Sequence, residues 1–227
     1  MDKRAGDFGP GKAGRTAPGG KKAGRAGGPY HHGNLRQALV EGGLSLLARE
    51  GPAAFSLRAL AQELGVSHAA PYRHFASRDE LLAAIVGECR SRMAEELKRS
   101  VTVPELAGAS ALERLYVLGE TFVRFYVANP EIHYLFNILP GELASRGGEL
   151  KDLVFPEPGG RQDPTFVLLR ATVAGLRDFY PGLSDRDILL GCWAKVFGLA
   201  SILVAQPDYF APEDMASGIR RVIRQAI

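Results

Sequence analysis

At 227 residues and 46% hydrophobic side chains, the chain can bury the core of one large helical domain or two modest ones. No run approaches the roughly 18–20 uninterrupted apolar residues of a membrane span, and the N-terminus lacks the apolar stretch of a secretory signal, so the expected setting is the cytoplasm with no membrane contact. The formal charge of +3 is unevenly placed: residues 1–29 carry seven basic side chains against two acidic, and residues 30–227 carry 21 against 23.

Residues 1–29, "MDKRAGDFGPGKAGRTAPGGKKAGRAGGP", are rich in Gly, Ala and Pro and hold almost no large apolar side chains. Such a segment buries too little surface to offset chain entropy, so a disordered basic tail is predicted. A cationic arm of this kind is drawn to polyanions such as DNA; the alternative is a merely solubilising extension.

From Tyr30 onward the apolar period is helical almost everywhere. Leu35, Leu39, Gly42, Leu46 and Leu47 mark one face of a first helix over about 32–50, ended by Gly51 and Pro52. Ser56 is the predicted N-cap of a short second helix with Leu57, Leu60, Ala61 and Leu64 inward, and Phe55 before it is placed to staple onto Leu60. Gly65 stops that helix, and Ser67 is the predicted cap of a third, in which Pro71 comes early enough to be tolerated. Ser77 opens a fourth helix to about Ser100, with Asp79 and Glu80 at the positive end of its dipole.

Farther on, Ser110 and Glu113 read as a capping box for a helix to about Ala128. Pro130 to Leu139 reads as a shorter helix and 140–162 as a Gly- and Pro-rich loop. Helices are also predicted from Pro164 to about Tyr180, from Ser184 to about Ala205, and from Pro212 to the C-terminus. The predicted class is all-α.

Cys89 and Cys192 stand far apart and outside any C-x-x-C pair, which argues against a disulfide framework or zinc site and for a reducing compartment. A metal cluster of His31, His32, His68 and His74 has no i,i+4 pair or carboxylate to support it, so neither metal nor cofactor is expected. No Ser-His-Asp set, phosphate loop or H-E-x-x-H motif suggests an enzyme.

A short helix, a Gly-led turn and a second short helix form a helix-turn-helix, whose second helix enters the major groove of double-stranded DNA. Ala69 and Ala70 keep that helix slim, while His68, Tyr72, Arg73 and His74 supply donors for bases and phosphates. Phe75, and less readily Tyr72, could instead be core aromatics.

The stretch from about Leu35 to Val86 resembles the DNA-binding domain of the TetR family of transcriptional regulators. The resemblance is carried by "LVEGGLSLLAREGPAAFSLRALAQELGVSHAAPYRHFASRDELL": a helix, Gly, a Ser-capped short helix, "GVS", "YRHF", then "SRDELL". It implies base or phosphate contacts from Ser56 and Arg58. It places Ser67, His68, Ala69 and Ala70 at the groove-facing start of the recognition helix. Tyr72 falls on a phosphate-binding tyrosine, His74 on a base or phosphate contact, and Arg78 on a lysine that grips the DNA backbone. Ala70 and Pro71 depart from the family's usual Thr or Ser and Leu. The implied organisation is a basic tail (1–29), a helix-turn-helix domain (30–76) and a helical ligand-binding and dimerisation domain (77–227). The implied protein is a homodimeric repressor on a near-palindromic operator, released by a small-molecule effector. A constitutive or architectural DNA-binding protein without a ligand is the alternative.

In the helix 184–205, Gly191, Ala194, Gly198, Ser201 and Ala205 form a stripe of small residues suited to close helix packing across a dimer interface or within the subunit. Ile219, Val222 and Ile223 of the last helix are its expected companions. "CWAKVFGLA" is similar to a tryptophan-and-glycine signature of one TetR subgroup. Phe122, Phe125, Tyr126, Tyr134, Phe136, Phe166 and Trp193, with His133 as a polar contact, are the candidate lining of a pocket for an apolar or aromatic ligand, or else ordinary core.

Overall fold

A computed structural model describes residues 34–139, 141–142 and 164–225. The predicted basic tail (1–29), His31, His32 and most of the predicted 140–162 loop lie outside the described residues. Among the described residues there are helices and no strand. They are α1 (Leu35–Ala54), α2 (Leu57–Glu63), α3 (Arg78–Val101), α4 (Ala111–Ala128), α5 (Glu131–His133), α6 (Pro164–Val173), α7 (Asp185–Ala205) and α8 (Met215–Arg224).

Side-chain caps start most of these helices where the sequence places them. Asn34 accepts from the Gln37 N–H at 3.2 Å, Ser56 from Ala59 at 3.1 Å and Ser77 from Glu80 at 3.1 Å. At α7 the box is complete, because Asp187 answers Ser184 by accepting from its N–H. The box expected at α4 is only half formed: Ser110 accepts from the Glu113 N–H at 3.1 Å, but the Glu113 carboxylate pairs with Arg224 on α8 at 2.6 Å. A full guanidinium is the stronger partner for that carboxylate than a backbone N–H.

α1 is interrupted at Gly51, whose φ of 74° and ψ of 176° favour a residue without Cβ. Pro52 then leads a last helical turn to Ala54. α3 is the long central element. Its N-terminal half packs Leu81, Leu82, Ile85 and Val86 into the core shared with α1 and α2, and its C-terminal half meets α4 and α6. α5 runs into a π-helical stretch, Tyr134–Ile138, and α6 into a 3-10 stretch, Ala174–Phe179, short of the regular helices expected there.

Around α4 the bundle closes tightly. A Cβ added at Gly119 would stand 3.2 Å from Ile223 and 3.2 Å from Val196, so α4, α7 and α8 meet where this glycine leaves room. Arg224 binds Glu113 and Glu120, and Arg220 binds Glu120, fastening α8 along α4. Arg224 holds the Glu113 carboxyl below the usual carboxylate range.

Among the described residues, α7 is long and apolar enough by length and composition alone to cross a membrane, although it holds no uninterrupted apolar run of that length. Its Cys192, Leu199, Ala200 and Leu203 are buried in the bundle, and Lys195 interrupts the apolar run.

Between α2 and α3 the predicted third helix does not form. Residues 68–70 are turns, followed by a 3-10 turn at Pro71–Arg73 that has no side-chain cap from Ser67. Pro71 has no N–H to return to the Ser67 carbonyl, and that carbonyl takes the Ala70 N–H instead at 2.9 Å. Pro71 and Phe75 are buried, Phe75 fully, and they pin the turn to the core. Phe75→Ala is expected to cost about 3–5 kcal/mol of stability in equilibrium urea unfolding, as for other fully buried phenylalanines.

Candidate functional site

The turn pinned by Pro71 and Phe75 carries its polar residues outward. Ser67, His68, Ala69, Arg73 and His74 are exposed, and Tyr72 is 57% exposed. The reading of Tyr72 as a core aromatic therefore fails, while Phe75 takes that role and supports the Arg36 guanidinium 4.9 Å above its ring. Ala70 is half-buried beneath the exposed group. The result is a short knob that displays two imidazoles, a phenol and a guanidinium around a slim alanine pair.

The flanking candidates are placed differently. Arg58 is exposed on α2, on the same side of the chain as the turn in sequence, and has no ion-pair partner among the described residues. Ser56 is occupied in part, since its hydroxyl caps α2. Arg78 turns inward. Its Nε donates to the Phe55 carbonyl at 3.2 Å and its Nη2 to the Pro52 carbonyl at 3.3 Å, with the guanidinium 5.5 Å from the Phe55 ring. The first residue of α3 thus holds the α1–α2 corner, a duty the sequence did not reveal because it depends on main-chain carbonyls 23 and 26 residues away. Arg49, half of another exposed pair, reaches Glu63 at 2.8 Å and links α1 to α2.

A second candidate site lies in the bundle. A cleft of about 700 Å³, counting its mouth open to solvent, is walled by α4, α6 and α7, together with Leu97 of α3 and Ile223 of α8. Of the predicted pocket residues, Phe122 and Trp193 line it, their rings 5.3 Å apart. The Phe166 side chain lies outside what is described. Phe125, Tyr126, His133, Tyr134 and Phe136 do not line it.

Those five belong to packing and to the junction with the head. Tyr126 is fully buried, pushed up to about 12 by that burial, and its hydroxyl meets Asn137, whose amide is 3.1 Å from His133 Nδ1. Tyr134 donates to Glu142 at 3.1 Å, and Arg90 stands 5.6 Å over the Phe136 ring. Phe125 packs half-buried against the main core. Sequence reasoning missed Tyr116, Thr165, Tyr180 and Lys195, which bring the cleft its polar atoms. A lone lysine inside the apolar run of α7 was the available signal for the last of these.

The small-residue stripe of α7 is only partly covered. Ala194 and Ala205 are exposed, Gly191, Gly198 and Ser201 half-buried, and a Cβ at Gly191 or Gly198 would meet nothing within 4 Å. Leu190 and Ile202 beside them are 65% and 49% exposed. Ile219 and Ile223 are instead buried in the subunit's own core and Val222 is half-buried, because α8 lies chiefly on α4 rather than beside α7. Both cysteines are buried, and burial pushes the Cys89 thiol up to about 12. Among the described residues no group of three or more His, Cys, Asp or Glu is placed to hold a metal ion.

The sequence profile of the bacterial regulatory proteins of the tetR family matches residues 39–85, which run from the middle of α1 through the knob into α3. An HTH-type transcriptional regulator of Mycobacterium bovis is 40% identical over 66 residues, which amount to 29% of this chain and 28% of that protein. A protein of unknown function from Rhodococcus sp. RHA1 is similar over 86% of this chain and 96% of its own, with 29% identity and a TM-score of 0.61. A TetR-family transcriptional regulator from Haemophilus influenzae shares the fold over 84% of this chain and 95% of its own at 19% identity, with a TM-score of 0.57. The matched segment is the one that folds into the Ser-capped α2, the Gly65 turn and the pinned knob, and this segment is that of the bacterial regulatory proteins of the tetR family.

Proposed function

We propose that the chain is a cytoplasmic transcriptional repressor that binds double-stranded DNA as a homodimer and leaves it when a small apolar effector fills the bundle cleft. The observation that carries the DNA part is the knob: His68, Tyr72, Arg73 and His74 exposed together on a turn that buried Pro71 and Phe75 hold fixed. Such a knob brings donors into a major groove with little backbone entropy left to lose on binding. The N-terminal segment up to residue 76 acts as the reading head, and residues from 77 onward as the effector and dimer body.

Dimerisation is supported by what the subunit does not explain. A Cβ at Gly191 or Gly198 would meet nothing within 4 Å, so among the described residues nothing requires a glycine at either place. A second α7 approaching across this stripe would require both, and would cover Leu190 and Ile202. Two heads related in this way would address half-sites about one helical turn apart, roughly 34–36 Å, on a near-palindromic operator.

The effector part is supported by α3. It runs from Arg78, which holds the α1–α2 corner, to Leu97 in the cleft wall. An effector binding there shifts the heads only by its differential affinity for their two arrangements.

Selection of tight-binding fragments from random DNA should return a short inverted repeat bound at least about a thousandfold over random sequence; uniform binding to all fragments would leave only a non-specific DNA binder. On the selected operator, Arg73→Ala should weaken all sequences alike and lower the slope of log affinity against log salt by about 1. His68→Ala should alter base preference with the slope unchanged. The double substitution Gly191→Leu, Gly198→Leu raises helix propensity yet should shift sedimentation from dimer to monomer and abolish the preference for the inverted repeat. Persistence of the dimer would move the interface elsewhere.

A further inference from the structure

We propose that the effector of the cleft is an apolar monocarboxylate, an alkyl or aryl acid whose carboxylate is received by the Lys195 ammonium. This rests on the reading of the cleft as an effector site. Lys195 is the one charged side chain among the residues that wall it, set between Ala194 and Val196 on α7. The remaining described wall is mostly apolar, with Tyr116, Thr165, Tyr180 and Gln225 as its uncharged polar members.

The ammonium donates to the main-chain carbonyl of Gln225, just past the end of α8, and no carboxylate lies within ion-pair distance of it among the described residues. The acidic side chains nearest that end, Glu113 and Glu120, are taken by Arg224 and Arg220. Desolvation also holds Lys195 below the ordinary lysine value, the sign of a charge short of solvent and counter-charge. A carbonyl acceptor alone is a weak match for a half-buried ammonium, whereas a carboxylate gives a charge-assisted bond about twice as strong.

The count of charges selects the ligand class. One cation in an apolar wall balances one anion. A diphosphate or dicarboxylate would leave charge unpaired against leucine, and an amine would set two like charges together. A neutral hydrocarbon would fill the cleft and leave Lys195 as it is. Capping the end of α8 is the plain alternative role for Lys195, and it makes no distinction among ligands.

Trp193 is the only tryptophan of the chain and lines the cleft, so its fluorescence reports occupancy directly. The full chain, without DNA, is titrated with decanoate and with decan-1-ol below micellar concentrations at pH 7.5. Decanoate is expected to saturate and to bind about tenfold or more tighter than the alcohol. Lys195→Met should bind the two alike, at the wild-type affinity for the alcohol, while Lys195→Arg should keep the preference for the acid. Circular dichroism melts establish that both variants are folded, and if Lys195→Met is not, the Arg variant and the wild-type acid-to-alcohol ratio decide. Equal affinities in the wild type, a preference that survives Lys195→Met, or no titration by either compound would overturn the proposal. Operator binding by the ligand-free chain is measured in parallel. Its loss with decanoate binding intact removes the regulator reading and leaves the ligand assignment, and the reverse pattern does the opposite.

Discussion

The face of α3 that packs against everything else is the constraint on which this structure depends. At its start, Arg78 ties off the two carbonyls at the corner between α1 and α2, and Leu81, Leu82, Ile85 and Val86 seat that corner in the core. Toward its end, Met93 and Leu97 join the core shared with α4, and Leu97 also bounds the cleft. A helix of 24 residues spans about 36 Å. Close packing along that length leaves little compliance, so a displacement at one end is passed to the other rather than absorbed. The head and the cleft are therefore separate in sequence but are not mechanically independent.

What could be read from the sequence was local, and what could not depended on a partner. Ser56, Ser77 and Ser184 announce their helices because a cap acts within three residues. Phe75 was legible as core and its small and polar neighbours as exposed, since such residues surrounding one large aromatic leave few ways to pack. The missing third helix was not legible. Whether the Ser67 carbonyl goes to residue 70 or 71 turns on the one N–H that Pro71 lacks, and a helix or a tight turn satisfies the same apolar pattern. Ile219 and Ile223 show the general limit. Periodicity says that a face is buried, not what buries it, and here α4 of the same subunit does so. The aromatic-rich middle misled for the same reason. Phe122 faces α7 across the cleft, while Tyr126, one turn farther along α4, meets Phe197 and Asn137 beyond its end.

Charge at the head is more sparing than its arginine content suggests. Arg49 is paired with Glu63 and Glu50, Arg36 lies over Phe75, and Arg78 serves the α1–α2 corner. Among the described residues, Arg58 and Arg73 remain as exposed cations around the knob. Non-specific attraction to a polyanion would then fall largely to the basic segment 1–29, which carries seven basic side chains against two acidic. Under the proposed function, discrimination would rest on the fit of the knob and on how firmly Pro71 and Phe75 hold it.

Under the proposed function the same helices bear three duties. α7 lends the cleft Trp193, Lys195 and Val196, and it leaves Leu190, Gly191, Gly198 and Ile202 uncovered. A ligand pressing on α7 thus acts on the helix through which two subunits would meet, and Leu97 of α3 lines the same cleft. Head spacing in a dimer depends on both the angle between subunits and the tilt of α3 within each. An effector at this position can bias the two together, which allows a modest binding preference to produce a large change in operator affinity, because the dimer sums the effect over two sites. By linkage, operator DNA must weaken effector binding by the same factor, and that reciprocity ties the cleft to the knob more directly than any displacement of a single helix.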